Sequence, residues 1–103
     1  MTTRGCAGKR RPAVVVSNDR ANATASRLGR GVVTVVPVTS DIARVFAFQV
    51  ALSARESGLR ADAKAQAEQV LSVAVERVGP VLGRVPPALM GALDAALRLH
   101  LHL

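Results

Sequence analysis

The strongest constraint on the fold is a pair of valine-rich runs, AVVVS at residues 13–17 and VVTVVPV at residues 32–38. Both are short, β-branched and apolar on both faces, a pattern that predicts buried strands. Pro37 restricts the far end of the second strand to an edge or a bulge, because proline has no N–H to donate to a ladder. The polar residues 18–31 predict a long loop with a helical turn, for which Asp19 is the expected N-cap.

More short strands are predicted downstream. FAFQVAL carries Phe46 and Phe48 two positions apart, and strand periodicity places both rings on one face. The alanine-rich stretch that follows predicts two strands, although its alanines leave a helix as an alternative. The predicted strands of this half are residues 46–52, 62–66, 69–75 and 81–85.

A C-terminal helix is the clearest single element. Pro86 and Pro87 suit a helix start, and leucines then recur every four residues, at Leu89, Leu93, Leu97 and Leu101. Several short strands followed by one helix predict a mainly β, α+β fold, in which the helix caps a curved sheet or half-open barrel. With 103 residues, half of them hydrophobic, the chain is expected to form a single domain over residues 1–103.

The charge is basic and unevenly distributed. Lys and Arg number 14 against 7 Asp and Glu, and the first thirty residues hold seven of the basic residues against Asp19 alone. This end is suited to binding an anion, although a positive surface also serves solubility. Cys6 has no second cysteine to pair with, and no stretch resembles a membrane span or a secretory signal. We therefore expect a cytoplasmic location and no membrane partner.

Several kinds of site are disfavoured. GCAGKRR at residues 5–11 resembles a phosphate loop only superficially, because two residues rather than four separate its glycines and no Ser or Thr follows the lysine. His100 and His102 are two residues apart on the predicted helix and so point in different directions. With one cysteine and no cluster of carboxylates, neither a metal site nor a cysteine or serine triad is expected, and no cofactor is implied.

The end of the predicted hairpin is the best candidate site. If the two valine-rich strands pair antiparallel, the start of the first meets the end of the second, which brings Arg11 beside Thr39. A guanidinium and a hydroxyl at one sheet end, with Lys9 and Arg10 around them, match what is needed to grip a phosphodiester. In the simpler alternative, Arg11 covers the sheet edge and Thr39 begins a turn.

Four blocks of the sequence together resemble the MazF/PemK toxin family. They are RRPAVVVSNDRAN, VTVVPVTS, FAFQVAL and the tail from AQAEQVLSVAVERV to the C-terminus, and their order and spacing match over roughly residues 8–103. The resemblance implies a CcdB/MazF-like, SH3-type small barrel with added helices that acts as a homodimer. It also implies a toxin of a bacterial toxin–antitoxin module, held in check by a cognate MazE-like antitoxin.

The resemblance further implies metal-independent, sequence-specific cleavage of single-stranded RNA, often mRNA, by attack of the 2′-hydroxyl on the adjacent phosphorus. The arginine of the family's Arg-Pro motif falls on Arg11 and the threonine that closes its next strand falls on Thr39, which makes these two the expected catalytic residues. The candidate RNA contacts are Lys9, Arg10, Ser17, Asn18, Ser40 and Gln69.

The chain departs from the family pattern at its start. Relatives open with a strand and a loop before the Arg-Pro motif, whereas only nine residues precede Arg10 here. The usual first strand is therefore expected to be missing, with residues 1–8 a flexible N-terminal remnant. Two alternatives stay open on these grounds: a degenerate, non-catalytic homologue that still binds antitoxin or RNA, and a CcdB-like inhibitor of DNA gyrase.

Overall fold

The computed structural model describes residues 2–6 and 11–103. In these residues, antiparallel strands are joined by helices and by two short 3₁₀ turns, at Ala67–Gln69 and Val75–Arg77. The strands are β1 (Thr2–Cys6), β2 (Pro12–Val15), β3 (Val32–Thr39), β4 (Gln49–Leu52), β5 (Ala63–Gln66), β6 (Leu71–Ala74) and β7 (Val78–Arg84). The helices are α1 (Asp19–Leu28), α2 (Ala54–Ser57) and α3 (Pro87–Leu101).

The predicted hairpin forms with the expected register. β2 pairs antiparallel with β3, with Ala13 opposite Pro37 and Val15 opposite Val35. The sheet has the order β4-β5-β3-β2-β1-β7, and β6 also pairs with β3. The prediction of a mainly β fold with a C-terminal helix is therefore confirmed.

The expectation that the first strand is missing is wrong. Residues 2–6 form β1, which pairs antiparallel with β2, Thr3 lying opposite Val14, and with β7, Thr2 lying opposite Arg84. β1 therefore covers the outer edge of β2 with backbone hydrogen bonds, as an edge strand needs. Residues 2–6 of the expected remnant form this strand, and its other positions lie outside the described residues.

Pro37 lies where one edge of β3 changes partner. β6 pairs with β3 up to Val35, and β5 pairs with it from Val38 onward. The 3₁₀ turn Ala67–Gln69 carries the chain between these two pairings. A residue without an N–H is tolerated at this gap in the ladder, so the predicted restriction is met inside a central strand rather than at an edge.

The segment after β2 is more regular than expected. Residues 19–28 form a ten-residue helix, α1, rather than a loop with one helical turn. Its N-cap is Asn18, whose side chain accepts a hydrogen bond from the Ala21 N–H at 2.8 Å, so the assignment of the cap to Asp19 is wrong by one residue. Gly29, at φ 67°, ends the helix in the left-handed conformation that glycine adopts at least cost.

The remaining predictions hold with shifted boundaries. β5 and β6 confirm the two strands in the alanine-rich stretch, and the helix alternative is wrong there. The third predicted strand begins only at Gln49, because residues 47–48 form a turn. β7 starts earlier than residue 81, and α3 begins at Pro87 as expected.

The apolar side chains divide between the two faces of the sheet. On one face Val14, Val36 and Val38 pack with Leu93 and Ala96 of α3 in the larger core cluster. On the other face, Ala13 and Val35 belong to a smaller cluster that contacts Val73, Val75 and Val78. Among the described residues, no helix is both long and apolar enough to cross a lipid bilayer.

Candidate active site

Arg11 and Thr39 meet at the end of the β2–β3 hairpin. The paired residue numbers of these strands add up to 50, so continuing the register by two residues places Arg11 opposite Thr39. The Val16 N–H donates to the Thr34 carbonyl at 2.9 Å, which makes that opposed pair hydrogen-bonded. Because the two pair types alternate, this extrapolated position of Arg11 and Thr39 is of the non-hydrogen-bonded kind, in which opposed Cα atoms lie only about 4.5 Å apart.

The same row of residues continues onto the other side of β3. Lys64 of β5 lies opposite Thr39, and Ala51 of β4 lies opposite Lys64. All four positions have the parity of the sheet face turned away from α3, because Val38, Val50 and Ala65 point into the larger core cluster. Arg11, Thr39 and Lys64 thus bring two cations and one alcohol to one face of adjacent strands.

The hydroxyl of Thr39 also anchors the loop that follows it. Its Oγ1 accepts a hydrogen bond from the Asp41 N–H at 3.2 Å, and Asp41 Oδ1 accepts one from the Ala43 N–H at 3.4 Å. Because Oγ1 acts as an acceptor within the loop, the hydroxyl proton is left to donate elsewhere. Thr39 is half-buried and Arg11 is exposed, so both are accessible to a ligand.

Lys64 is buried, with 8% of its surface exposed, yet its ammonium is not isolated. Nζ donates to the carbonyl of Arg44 at 2.6 Å and lies 5.8 Å from the ring centroid of Phe46. A buried lysine needs such partners, because an unpaired ammonium is costly to remove from water. Residues 40–48 form the 40–48 loop. The hydrogen bond from Lys64 therefore holds this loop against β5, at the position opposite Thr39.

The 40–48 loop carries an aromatic and cationic stack. The rings of Phe46 and Phe48 lie 5.4 Å apart between centroids and are nearly parallel, at 4°. The guanidinium of Arg44 lies 4.7 Å from the Phe46 centroid, within cation–π range. Together, these three side chains form a stack beside Lys64.

Gln49 and Glu68 complete the polar face. Gln49, 8% exposed, accepts from the Phe46 N–H at 3.1 Å and donates from Nε2 to Glu68 Oε2 at 2.8 Å. The second carboxylate oxygen of Glu68, Oε1, is buried and has no hydrogen-bond partner among the described residues. Buried acceptors are normally satisfied, so this oxygen is an exception within the part of the chain that the structure describes.

The sequence also matches a known protein family over almost its whole length. The family of PemK-like, MazF-like toxins of type II toxin–antitoxin systems matches residues 2–101. The chain belongs to this family. The resemblance of its four sequence blocks to the family is thereby confirmed.

Individual MazF relatives agree. The chain is 65% identical over 97 residues to endoribonuclease MazF9 of Mycobacterium tuberculosis, an alignment that spans 94% of this chain and 82% of the relative. A solved mycobacterial endoribonuclease in complex with its cognate antitoxin is 25% identical, with a TM-score of 0.81 over 99% of this chain and 92% of that one. The M. tuberculosis toxin MazF-mt6, at 20% identity, shares the fold, with a TM-score of 0.84 over 100% of this chain and 98% of its own.

The structure of this MazF-family toxin brings some of the predicted site residues together. Arg11 and Thr39 are opposed at the sheet end, and the exposed Ser40 follows Thr39 directly. Gln69 is exposed in the 3₁₀ turn after β5, five residues beyond Lys64. Lys9 and Arg10 lie outside the described residues.

Ser17 and Asn18 are not part of this group. They follow β2, whereas Arg11 precedes it, so the length of the strand separates them from the site. Their side chains hold α1 and β3: Ser17 Oγ accepts from the Thr34 N–H at 3.0 Å, and Asn18 caps α1. Their predicted roles as RNA contacts gain no support from this geometry.

Sequence patterns do not single out Lys64, Arg44 or Glu68 of this toxin as neighbours of the candidate site. One usable signal exists, since Lys64 and Gln66 alternate with alanines in AKAQ, and alternation places both on the polar face of a predicted strand. The contact of Lys64 with Arg44, twenty residues away, has no such local signal. Among the described residues, no group of three or more His, Cys, Asp or Glu is placed to hold a metal ion.

Proposed function

We propose that this MazF-family endoribonuclease cleaves single-stranded RNA, mRNA included, at short sequence motifs and without a metal ion. The observation that carries the proposal is the register of β2 and β3, whose continuation places Arg11 opposite Thr39 on a face that also holds Lys64. The relative MazF9 is named an endoribonuclease, and its 65% identity extends over most of the chain. The alternatives of a non-catalytic homologue and a gyrase inhibitor are not favoured by these comparisons.

In the proposed reaction, the 2′-oxygen of the substrate attacks the adjacent phosphorus. The P–O2′ bond forms and the P–O5′ bond breaks, leaving a 2′,3′-cyclic phosphate and a 5′-hydroxyl. The 2′-hydroxyl gives up its proton, and the departing 5′-oxygen takes one up. The protein must hold these atoms in line and stabilise the negative charge that grows on the phosphoryl oxygens.

Arg11 and Thr39 supply complementary parts of that stabilisation. Arg11 is permanently charged and presents several N–H groups in a planar fork, which matches phosphate oxygens and argues against a role as general base. The Thr39 hydroxyl donates its proton to the phosphate while Oγ1 accepts from Asp41. The Asp41 contact fixes the direction of the hydroxyl before the substrate arrives.

Further RNA contacts follow from position. Lys9 and Arg10 directly precede Arg11, and we assign them to the sequence-independent attraction of the RNA backbone. Ser40 follows Thr39, and Gln69 lies in the exposed turn after β5. We assign both side chains to hydrogen bonds with the nucleotides that neighbour the scissile bond. Ser17 and Asn18 are left out of the proposed contact set because they lie at the other end of β2.

The purified protein is expected to cut a long mRNA of diverse sequence in the presence of EDTA, because the attacking group comes from the substrate itself. The products should carry 2′,3′-cyclic phosphate and 5′-hydroxyl ends, identified by end-labelling and mass spectrometry. The same sequence with 2′-deoxyribose should stay intact, since it lacks the nucleophile. Absence of cleavage, or cleavage only after a divalent ion is added, would contradict the proposal.

We also propose a homodimer. Exposed leucines at the end of α3 support it, because Leu99, Leu101 and Leu103 are 58%, 49% and 84% exposed and would gain from an apolar cover. Sedimentation velocity is expected to give about twice the chain mass of 10.7 kDa. A monomer at all concentrations tested would overturn the dimer without affecting the cleavage chemistry.

The other parts of the proposal follow from the family. As a toxin of a type II system the chain has an antitoxin partner, and we assign it a MazE-like one, supported by the solved mycobacterial complex. The net charge of +7 favours an acidic segment on that partner. The assignment also carries a cytoplasmic location, where mRNA is found, and a single domain over residues 1–103.

A further inference from the structure

We propose that the stack of Arg44, Phe46 and Phe48 binds an unpaired nucleobase of the substrate, one that neighbours the scissile bond. This inference rests on the proposed endoribonuclease function and adds a subsite to it. Three observations carry it: the location of the aromatic residues, the hydrogen bonds that hold the 40–48 loop, and the closeness of the stack to Thr39.

The aromatic residues of this protein are concentrated in one place. The sequence contains two phenylalanines and neither tryptophan nor tyrosine, and both phenylalanines lie in the 40–48 loop. The Phe46 ring is not part of either core cluster, since the residue is 40% exposed. A chain that builds its core from valine, leucine and alanine therefore places its aromatic surface where solvent, or a ligand, can reach it.

Hydrogen bonds to the backbone of Phe46 and Arg44 hold the stack in place. The Phe46 N–H donates to Gln49 Oε1 at 3.1 Å, and the Gln49 N–H donates to the Phe46 carbonyl at 2.9 Å. The carbonyl of Arg44 accepts from the buried Lys64 ammonium at 2.6 Å. A surface ordered before binding loses less conformational entropy when a ligand arrives, which favours affinity.

The stack lies next to the proposed catalytic pair. Lys64 is the register partner of Thr39, and its Nζ is 5.8 Å from the Phe46 ring centroid. A nucleotide whose phosphate is held by Arg11 and Thr39 therefore has the stack within reach of a neighbouring base. Flat aromatic rings beside a guanidinium are the combination on which proteins stack single-stranded bases.

Charge distinguishes an RNA ligand from an apolar protein segment at this surface. Arg44 and Lys64 both contact the Phe46 ring, and Arg11 lies in the same row of the sheet as Lys64. An apolar segment would leave these cations without anionic partners, whereas a nucleotide supplies both a base for the rings and a phosphate for the charges. The nucleobase is therefore the occupant that fits all of the side chains.

A single tryptophan provides a direct test. Because the natural chain has no tryptophan or tyrosine, Phe46→Trp introduces a lone fluorophore that can still stack. Its fluorescence is expected to be quenched when 2′-O-methyl RNA of mixed sequence, which cannot be cut, is added. An abasic oligomer with the same backbone should leave the fluorescence unchanged. The control variant Leu28→Trp carries its tryptophan at the exposed end of α1, and its fluorescence should not change when the RNA is added.

Cleavage kinetics provide the second readout. Phe46→Ala is expected to raise KM for RNA about 5- to 150-fold, the range seen when one base-stacking aromatic is removed. Phe46→Trp should restore KM to within a few fold of the natural protein. Arg27→Ala, which removes an exposed arginine of α1, serves as a control for nonspecific loss of charge and should leave KM nearly unchanged.

The outcomes separate this inference from the function beneath it. One outcome is that the natural protein cuts RNA, the fluorescence of Phe46→Trp does not change when RNA is added, and Phe46→Ala cuts normally. This outcome refutes the stacking subsite and leaves the endoribonuclease function standing. Equal quenching by the abasic oligomer, or quenching only by an antitoxin peptide, refutes it too. If the natural protein cuts no RNA but the quenching depends on bases, the proposed catalysis falls and the base-binding surface remains.

Discussion

Replacing Arg11 with alanine is expected to lower the rate of RNA cleavage at least about 100-fold, because one preorganised group that stabilises transition-state charge is worth about 10²–10³ in kcat. The register of β2 and β3, continued by two residues, places Arg11 opposite Thr39 at a position of the non-hydrogen-bonded kind, where side chains approach each other most closely. Single-turnover kinetics on a labelled RNA will measure the loss. Arg11 is exposed, so the variant should keep the circular dichroism spectrum of the natural protein.

Three further variants show whether Arg11 acts with Thr39. Arg11→Lys keeps the charge but loses the planar fork, so it should recover only part of the rate. Thr39→Val, which removes the hydroxyl at nearly constant volume, should cost about as much as Arg11→Ala. The double variant should be little slower than either single one, since groups that act as a unit are not additive.

Arg27→Ala, in α1, is the matched control and should cut RNA at the natural rate. Two results would show that Arg11 is not a catalytic residue. One is unchanged cleavage by Arg11→Ala. The other is a loss confined to KM, which would mean that Arg11 binds the RNA backbone without assisting the chemical step.

Much of the fold is predictable because the valine-rich runs carry strong local signals. AVVVS and VVTVVPV are identified as strands, and their pairing follows from antiparallel geometry. The same register, continued by two residues, places Arg11 opposite Thr39. Strand β1 is not predictable in this way, because TTRGC has no apolar run. It forms a strand because it pairs with β2 on one side and with β7 on the other. The helix α1 is underestimated because its apolar residues are three alanines and the exposed Leu28, which give little signal for burial against a core.

The candidate site is predictable only where it rests on the hairpin. Arg11 directly precedes β2 and Thr39 ends β3, and these strands are neighbours in the sheet and consecutive in the sequence, so local reasoning places the two residues together. Lys64 joins them through the pairing of β3 with β5, which depends on how the intervening 23 residues fold. The stack on the 40–48 loop is harder to predict, because Phe46 and Phe48 precede β4 and strand periodicity does not apply there, although both rings do lie together.

Gly83→Ala is expected to destabilise the protein by about 3 kcal/mol, the upper part of the range for inserting a methyl group into a packed region. A Cβ at Gly83 of β7 would overlap the carbonyl oxygen of Ser57 and lie 2.9 Å from the Gly58 Cα. Both contacts are with backbone, which cannot rotate away as a side chain can. The two chain segments must therefore separate, and β7 is also the strand that pairs with β1.

Gly91→Ala offers the same chemical change with the opposite expected sign. Nothing lies within 4 Å of a Cβ built at Gly91, and the residue is inside α3, where alanine is favoured over glycine by about 0.5–1 kcal/mol. Urea unfolding at one fixed protein concentration will compare the two variants, since a dimer's stability depends on concentration. Equal midpoints for Gly83→Ala and the natural protein would show that α2 and β7 are not in backbone contact in solution. A lowered midpoint for Gly91→Ala would show that the outer face of α3 is covered at that position, as a dimer interface there would require.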